Sequence, residues 1–210
     1  MAPSPSPADE AARVRRTRVD EPHVAPLNDL ARSLRTQGEG HRFVPWFDPD
    51  GGGTTAHVLV LMETPGPRTV AAGDLGFSTE DNTDPTAAAL RAARAASGLD
   101  RSAYVRWNVV PWPLHDGAGH RRPPRVRDLD EARPALAALL DLLPALELVV
   151  AVGTPALTGV MRHLTLDPPD RVPRVLGVPH PSPRNAGQQQ EARARLANAL
   201  RAGVRPPERR

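Results

Sequence analysis

Four short apolar segments, each followed by a stretch with helical character, constrain the fold of this chain more than any other feature. Continuous runs rich in Val and Leu are typical of strands that are covered on both faces. The runs are AHVLVLM at residues 56–62, YVRWNVV at 104–110, ELVVAV at 147–152 and VPRVLGV at 172–178. Pro173 interrupts the fourth run and predicts a strand near a sheet edge. Since strands that alternate with helices need right-handed crossovers, the sequence predicts an α/β fold: a three-layer α/β/α sandwich with a central four-stranded parallel sheet.

The helix boundaries carry their own local signals. Asp84 and Pro85 are typical of an N-cap and a first helical residue, and Gly98 is typical of a helix end. Further helices are predicted from Asp128 to about residue 143, briefly after Thr154, and over residues 187–201. Residues 1–25 are rich in Pro, Ser and charge and predict a disordered arm. Residues 26–203 are then expected to form the folded domain, and residues 204–210 a frayed tail.

The composition excludes several kinds of chemistry. The chain has no Cys, which excludes disulfides and Cys-ligated zinc or iron–sulfur clusters. It has no Lys, so a side-chain Schiff base is excluded as well. All 27 basic residues are Arg and the net charge is only +3, while Ile is also absent; this bias makes the Arg excess weak evidence for nucleic-acid binding by itself. No apolar run approaches the ~18 residues of a membrane span, and we expect a soluble, cytoplasmic monomer without membrane contact.

Unusual residues cluster where the predicted strands end, which is where ligands bind in parallel sheets. The first strand is followed by Met62-Glu63-Thr64-Pro65-Gly66-Pro67-Arg68, in which Gly66 allows a close backbone approach. Asn108 places a carboxamide in an apolar strand, either bonded to backbone in the core or facing a ligand that needs both a donor and an acceptor. After the fourth strand, His180 stands between two prolines, and Arg184 is suited to a phosphate.

Three of these segments together resemble the uracil-DNA glycosylase superfamily. They are METPGP after the first strand, WNVVPWP on the second and PHPSPR after the fourth, and the resemblance covers roughly residues 58–201. Gly76-Phe77-Ser78 is similar to the segment of the family that stacks on the base. The resemblance implies a monofunctional DNA glycosylase, active in base excision repair, that flips uracil or a related damaged pyrimidine out of DNA and leaves an abasic site.

The resemblance also implies roles for individual residues. Phe77 would stack on the flipped ring beside Pro65 and Gly66, and Asn108 would read the edge of the base. His180 would stabilise the negative charge that develops on the departing base. Ser182, Arg184 and Arg68 would contact the DNA backbone without reading its sequence. The implied partner is uracil-containing DNA, single- or double-stranded, and no cofactor is expected.

The chain departs from the family pattern in two ways. Thr64 stands where the best-known members carry an Asp, and a hydroxyl cannot act as a general base at neutral pH. Activation of the water would then fall on Glu63, on Asp81 or on the phosphates of the substrate, and we rank Glu63 first. The four Cys that bind an iron–sulfur cluster in several branches are missing, which indicates a cluster-free or divergent member.

Other interpretations remain open at this level. Loss of the activating carboxylate at position 64 favours a non-catalytic DNA-binding or damage-sensing module of the same fold. A hydrolase acting on free nucleosides would use the same pocket without gripping DNA. The segment from His115 to His120 contains two His and an Asp, but it lacks the helical spacing and the further ligands of a typical metal site, so no metal is predicted.

Overall fold

A computed structural model describes residues 7–37, 41–181 and 189–205. The strands are β1 (Trp46–Phe47), β2 (Val58–Met62), β3 (Phe77–Ser78), β4 (Tyr104–Asn108), β5 (Leu148–Val152) and β6 (Arg174–Val178). The α-helices are α1 (Pro7–Arg16), α2 (Ala25–Thr36), α3 (Pro67–Ala71), α4 (Pro85–Ser97), α5 (Val126–Asp141), α6 (Thr154–Leu166) and α7 (Gln189–Arg201). None of the helices in these ranges is long and apolar enough to cross a membrane.

The central sheet has four parallel strands in the order β4-β2-β5-β6. All residues of β2 and β5 are buried, as their uninterrupted apolar sequences predict. Strand β6 lies at the edge and exposes most of its residues, which confirms the position that Pro173 predicts. In the register of β2 and β4, Met62 lies beside Asn108, so both strands end at the same level.

Helices cover both faces of this sheet. One face packs against α2, α5 and α6, and the other packs against α4 and α7. The two faces bury mainly Leu, Val and Ala, with one stacked aromatic pair, Phe47 and Trp107, whose ring centroids are 3.8 Å apart. The structure therefore confirms the three-layer α/β/α sandwich with a central four-stranded parallel sheet.

The local helix signals of α4 are confirmed in detail. The Asp84 carboxylate accepts hydrogen bonds of 3.0 Å from the backbone N–H groups of Thr86 and Ala87, so it caps the helix. Gly98 follows the helix in the left-handed region, with φ of +77°. The helix after β5 runs for 13 residues and is longer than the short helix that we expected.

Residues 7–25 differ from the expected disordered arm, and residues 1–6 of that prediction lie outside the described residues. From Pro7 onward this segment is ordered: it forms α1, and Val19 and Val24 are completely buried. Arg15 and Arg18 anchor it to carboxylates 32 to 66 residues further along the chain. A few buried apolar groups together with ion pairs thus order a segment that is too polar to predict as folded from its composition. Of the predicted frayed tail, the structure describes residues 204 and 205, and Arg205 pairs with Glu147 at 2.7 Å.

A second sheet, which no pattern in the sequence predicts, consists of β1 and β3. These two-residue strands are parallel, and Trp46 lies beside Phe77 in the register. The Trp46 indole donates a hydrogen bond to the carbonyl of Asp74 and packs against the guanidinium groups of Arg16, Arg32 and Arg35. This small sheet fixes the chain that leads from α3 into α4.

Candidate active site

The carboxyl ends of the parallel strands open onto a cavity of about 440 Å³. This is where open parallel sheets bind their ligands, and the volume falls within the range of small-molecule sites, roughly 300–1,000 Å³. The wall is formed by the segment after β2, the first turn of α4, and the side chains of Arg106, Arg121 and His180. Three arginines and two carboxylates line it, so the balance of charge is positive.

A second cavity of about 410 Å³ adjoins the first. Gly153 and Thr154, at the end of β5, line it together with Gly177 of β6. Glu63 and His180 line both cavities, so these two side chains lie on the boundary between them. The structure thus brings together two residues that are 117 positions apart in the sequence and that we had predicted to share a site.

Glu63 carries a half-buried carboxylate that none of the described residues binds. Its burial raises the pKa of this carboxyl above the ordinary value of 4.5. Gly153 leaves space for it, since a Cβ at that position would lie 2.3 Å from Glu63 Oε1. A carboxylate with raised basicity and free oxygens at a cavity wall is suited to accept a proton.

His180 is half-buried between Pro179 and Pro181 and forms no hydrogen bond to the described residues. Its burial lowers the pKa of the imidazole, and the positive charge of Arg106 lowers it further, whereas Asp84 acts in the opposite direction. The ring is therefore neutral at pH 7. A neutral imidazole offers one N–H donor and one acceptor, and here neither is used by the protein that the structure describes.

Asn108 lies at the end of β4 and is 5% exposed. Its side chain shares a sheet face with Arg106 because alternate residues of a strand point the same way. Its amide makes no hydrogen bond to the described residues, which argues against a core Asn bonded to backbone. Asn108 is absent from the described wall of the cavity but lies beside Met62, which does line it.

The segment after β2 supplies one wall of the cavity mainly through its backbone. Thr64 and Gly66 line the cavity, whereas Pro65 is buried behind them. The Arg121 guanidinium donates to the carbonyl of Pro65 and lies 3.4 Å from Thr64 Oγ1. Arg121 therefore ties the loop of residues 115–122 to this segment and presents a positive charge beside Thr64.

Phe77, the expected stacking residue, is not brought into this cavity. It lies on β3, is 2% exposed and belongs to the apolar core on the far face of the sheet from α4. Its parallel pairing with Trp46 fixes the backbone so that the ring is buried, and burial of a Phe side chain contributes about 1.5–3 kcal/mol. Among the described residues that line the cavity, His180 provides the only aromatic ring.

Of the three residues expected to contact the DNA backbone, the structure describes Arg68. Arg68 is exposed at the cavity rim, where it donates to the carbonyl of Thr83 at 2.8 Å. Ser182 and Arg184 lie outside the described residues.

Asp81, the alternative proton acceptor, is not at the cavity wall. It pairs with Arg15 and with Arg101, the latter at 2.6 Å, in a cluster that includes Asp48 and Asp50. In the described ranges, these three aspartates are the one group of acidic side chains close enough together to hold a metal ion. Arg15 and Arg101 already neutralise their charge. In the loop of residues 115–122, Asp116 accepts hydrogen bonds from two backbone N–H groups of its own turn. Neither cluster therefore competes with Glu63 for the chemistry at the strand ends.

Two wall residues, Arg106 and Arg121, were not assigned to the pocket from the sequence. Arg106 was visible as a charged residue inside the apolar strand YVRWNVV, a signal as strong as that of Asn108. Arg121 gave no comparable local signal, since it stands in a loop with other charged residues.

Comparison with known proteins agrees with this geometry. The family model described as the uracil DNA glycosylase superfamily matches residues 49–202, which include β2, β4, β5, β6 and every described residue of the two cavities. No curated protein matches the chain. The match covers most of the chain, including all four strands of the central sheet. The protein therefore belongs to the uracil DNA glycosylase superfamily.

Proposed function

We propose that this protein is a monofunctional DNA glycosylase that hydrolyses the N-glycosidic bond of uracil, or of a related damaged pyrimidine, in DNA. Family membership supports a glycosylase-type hydrolase. The substrate and the roles of the residues are our proposal. The observation that carries it is a pair of groups on the wall of one cavity at the strand ends, Glu63 and the neutral His180, whose side chains form no hydrogen bond to the described residues.

In the proposed reaction, the bond between C1′ of the sugar and N1 of the base breaks, and its electron pair leaves with the base. Glu63 removes a proton from a water molecule, whose oxygen forms the new bond to C1′. His180 donates its N–H to a carbonyl oxygen of the departing base, where negative charge develops. Asn108, whose amide makes no hydrogen bond to the described residues, donates to and accepts from the edge of the base and holds it in place. The base anion finally takes up a proton from solvent.

The arginines at the rim suit the phosphates of DNA. No carboxylate within the described ranges pairs with Arg68 or Arg121, so both can neutralise phosphate charge. Ser182 and Arg184 are proposed to add contacts to the backbone. Since the chain has no Lys, a lyase step through a lysine Schiff base is excluded, and the product is an abasic site.

The test is excision of uracil from a labelled oligonucleotide, with the abasic product revealed by alkali. We expect Glu63→Gln to lower the single-turnover rate by about 10²–10⁴-fold, the usual range for loss of a general base. For His180→Ala we expect a loss of about 10²–10³-fold, as for removal of one donor to a developing anion. Asn108→Ala should weaken both binding and excision.

Matched controls are available on the surface. Glu131→Gln removes an exposed carboxylate that pairs with Arg42, and His120→Ala removes a side chain that is 80% exposed. Both should excise uracil at the rate of the unaltered protein. Absence of excision by the unaltered protein on uracil, hypoxanthine and mismatched thymine, together with salt-sensitive DNA binding, would contradict the proposal and favour a damage sensor. Cleavage of free nucleosides with little salt dependence would favour a nucleoside hydrolase.

A further inference from the structure

Arg106 places a guanidinium without a charged partner in the wall of the active-site cavity. It extends from edge strand β4 and lines the cavity together with His180. Its Nη1 donates to the carbonyl of Thr79 at 2.5 Å, whereas its Nε is buried and has no hydrogen-bond partner. No carboxylate of the described residues lies within 4.0 Å of its nitrogens.

Other arginines with a buried, unbonded Nε differ from Arg106 because they pair with carboxylates. Arg101 and Arg133 also have a buried Nε without a partner, but their terminal nitrogens pair with Asp48, Asp81 and Asp167. The acids whose fields reach Arg106 are engaged elsewhere. Asp84 caps α4, Asp48 pairs with Arg101 at 2.7 Å, and Glu80 pairs with Arg94 at 2.8 Å.

A cation that is largely removed from water costs several kcal/mol unless an anion compensates it. Arginine cannot avoid this cost by losing its proton. No described carboxylate pairs with Arg106: Asp84 lines the same cavity but caps α4, and the space in front of Arg106 is the cavity in which the proposed reaction makes an anion. The departing base is neutral in the substrate and anionic in the transition state, so a fixed cation here stabilises the transition state selectively.

We propose that Arg106 is a catalytic cation that stabilises the negative charge of the leaving base, and that the pocket therefore favours pyrimidines that depart as anions with charge on a carbonyl oxygen. This inference rests on the proposed glycosylase function. The role of Arg106 differs from that of His180. His180 donates one hydrogen bond to the base, whereas Arg106 contributes a full positive charge at the same cavity wall.

The first test compares two leaving groups in single-turnover excision, uracil and 5-fluorouracil. Fluorine withdraws electrons and already stabilises the departing anion, so less depends on Arg106. We expect Arg106→Gln to slow uracil excision by about 10²-fold and 5-fluorouracil excision by clearly less, with partial recovery in Arg106→Lys. Arg133→Gln, which alters the surface pair with Asp167, should change neither rate. Equal losses on the two bases would overturn the proposal and indicate a structural or phosphate-binding role.

The second test does not depend on catalysis. Barbituric acid is a planar pyrimidine that is already an anion at pH 7, and uracil is neutral there, so calorimetry on the whole protein compares the two charge states. We expect the unaltered protein to bind barbiturate more tightly than uracil, and Arg106→Gln to remove this preference while thermal unfolding shows that the variant is folded. A preference that survives in Arg106→Gln, or no preference in the unaltered protein, refutes the role of Arg106. If the unaltered protein prefers barbiturate but excises no base, the proposed function fails and the anion site stands.

Discussion

Gly153 controls how close the backbone at the end of β5 comes to the Glu63 carboxylate, and Gly153→Ala tests this contact. The added Cβ would lie 2.3 Å from Oε1, 3.2 Å from Cδ and 3.4 Å from Cγ of Glu63. Ordinary contacts begin at 3.4 Å, so the carboxylate oxygen must move by about 1 Å. Because the carboxylate is the end of a flexible side chain, we expect it to move in place of the backbone.

The expected effect of Gly153→Ala has two parts, a loss of stability and a loss of catalytic rate. The backbone at Gly153 has φ of +90° and ψ of +157°, a region that only glycine adopts readily, so Ala costs of the order of 1–3 kcal/mol of folding free energy. A displacement of about 1 Å at the proton acceptor lowers a catalytic rate by about 10²-fold. We therefore expect Gly153→Ala to be moderately less stable and much less active under conditions in which it is fully folded.

The assay is single-turnover uracil excision, with the folded fraction determined by urea unfolding. Gly98→Ala is the matched control, because Gly98 has a positive φ of +77° and nothing lies within 4 Å of its added Cβ. The Gly98→Ala variant should lose stability and keep the excision rate of the unaltered protein. In a Glu63→Gln background, Gly153→Ala should cause little further loss of rate, since both changes act on one group. A full 10²-fold loss in that background, or an unchanged rate in Gly153→Ala alone, would refute the reasoning.

Two further predictions concern pH. Excision needs Glu63 ionised and His180 neutral, and burial raises the pKa of Glu63 above 4.5 and lowers the pKa of His180 below 6.5. The single-turnover rate should therefore fall as the pH is lowered and these groups take up protons, and a rate that rises in more acidic solution would contradict these assignments. Asp128 accepts hydrogen bonds from Arg122 at 2.6 and 2.8 Å and from the Arg125 backbone at 2.7 Å, and the bonds from Arg122 contribute most to lowering its pKa from 3.8 to about 2. The unfolded chain then binds the proton first, so this stabilisation is complete above about pH 4 and is lost as the pH falls towards 2. In urea titration, Asp128→Asn should lower the free energy of unfolding at pH 7 by about 1–3 kcal/mol. It should also flatten the fall of this free energy below about pH 4. If that fall is unchanged in the variant, Asp128 is not its source.

Local signals determined the sheet and the strand ends. The apolar runs predicted β2, β4, β5 and β6, because a strand buried on both faces must be apolar along its length. Asp84 and Gly98 fixed the ends of α4, since caps act within a few residues of the chain. Parallel topology then predicted that Glu63 and His180 would meet, because parallel strands bring their carboxyl ends to one edge.

Interactions between distant parts of the chain decided the rest. The segment from Pro7 to Val24 is ordered by ion pairs with residues such as Asp50 and Asp81, and composition does not reveal pairs that form 35 and 66 positions apart. Phe77 is buried by its pairing with β1, although its sequence resembles a stacking segment.

The charge state of the site also depends on the tertiary structure. The sequence shows that Glu63, Arg106 and His180 exist and places them near strand ends. Only the packed structure removes them from water without giving any of them an oppositely charged partner among the described residues. Desolvation and the distances between charges set the pKa values of Glu63 and His180 and leave the charge of Arg106 uncompensated. Both quantities depend on every neighbour in space, and these neighbours are known only once the chain is folded.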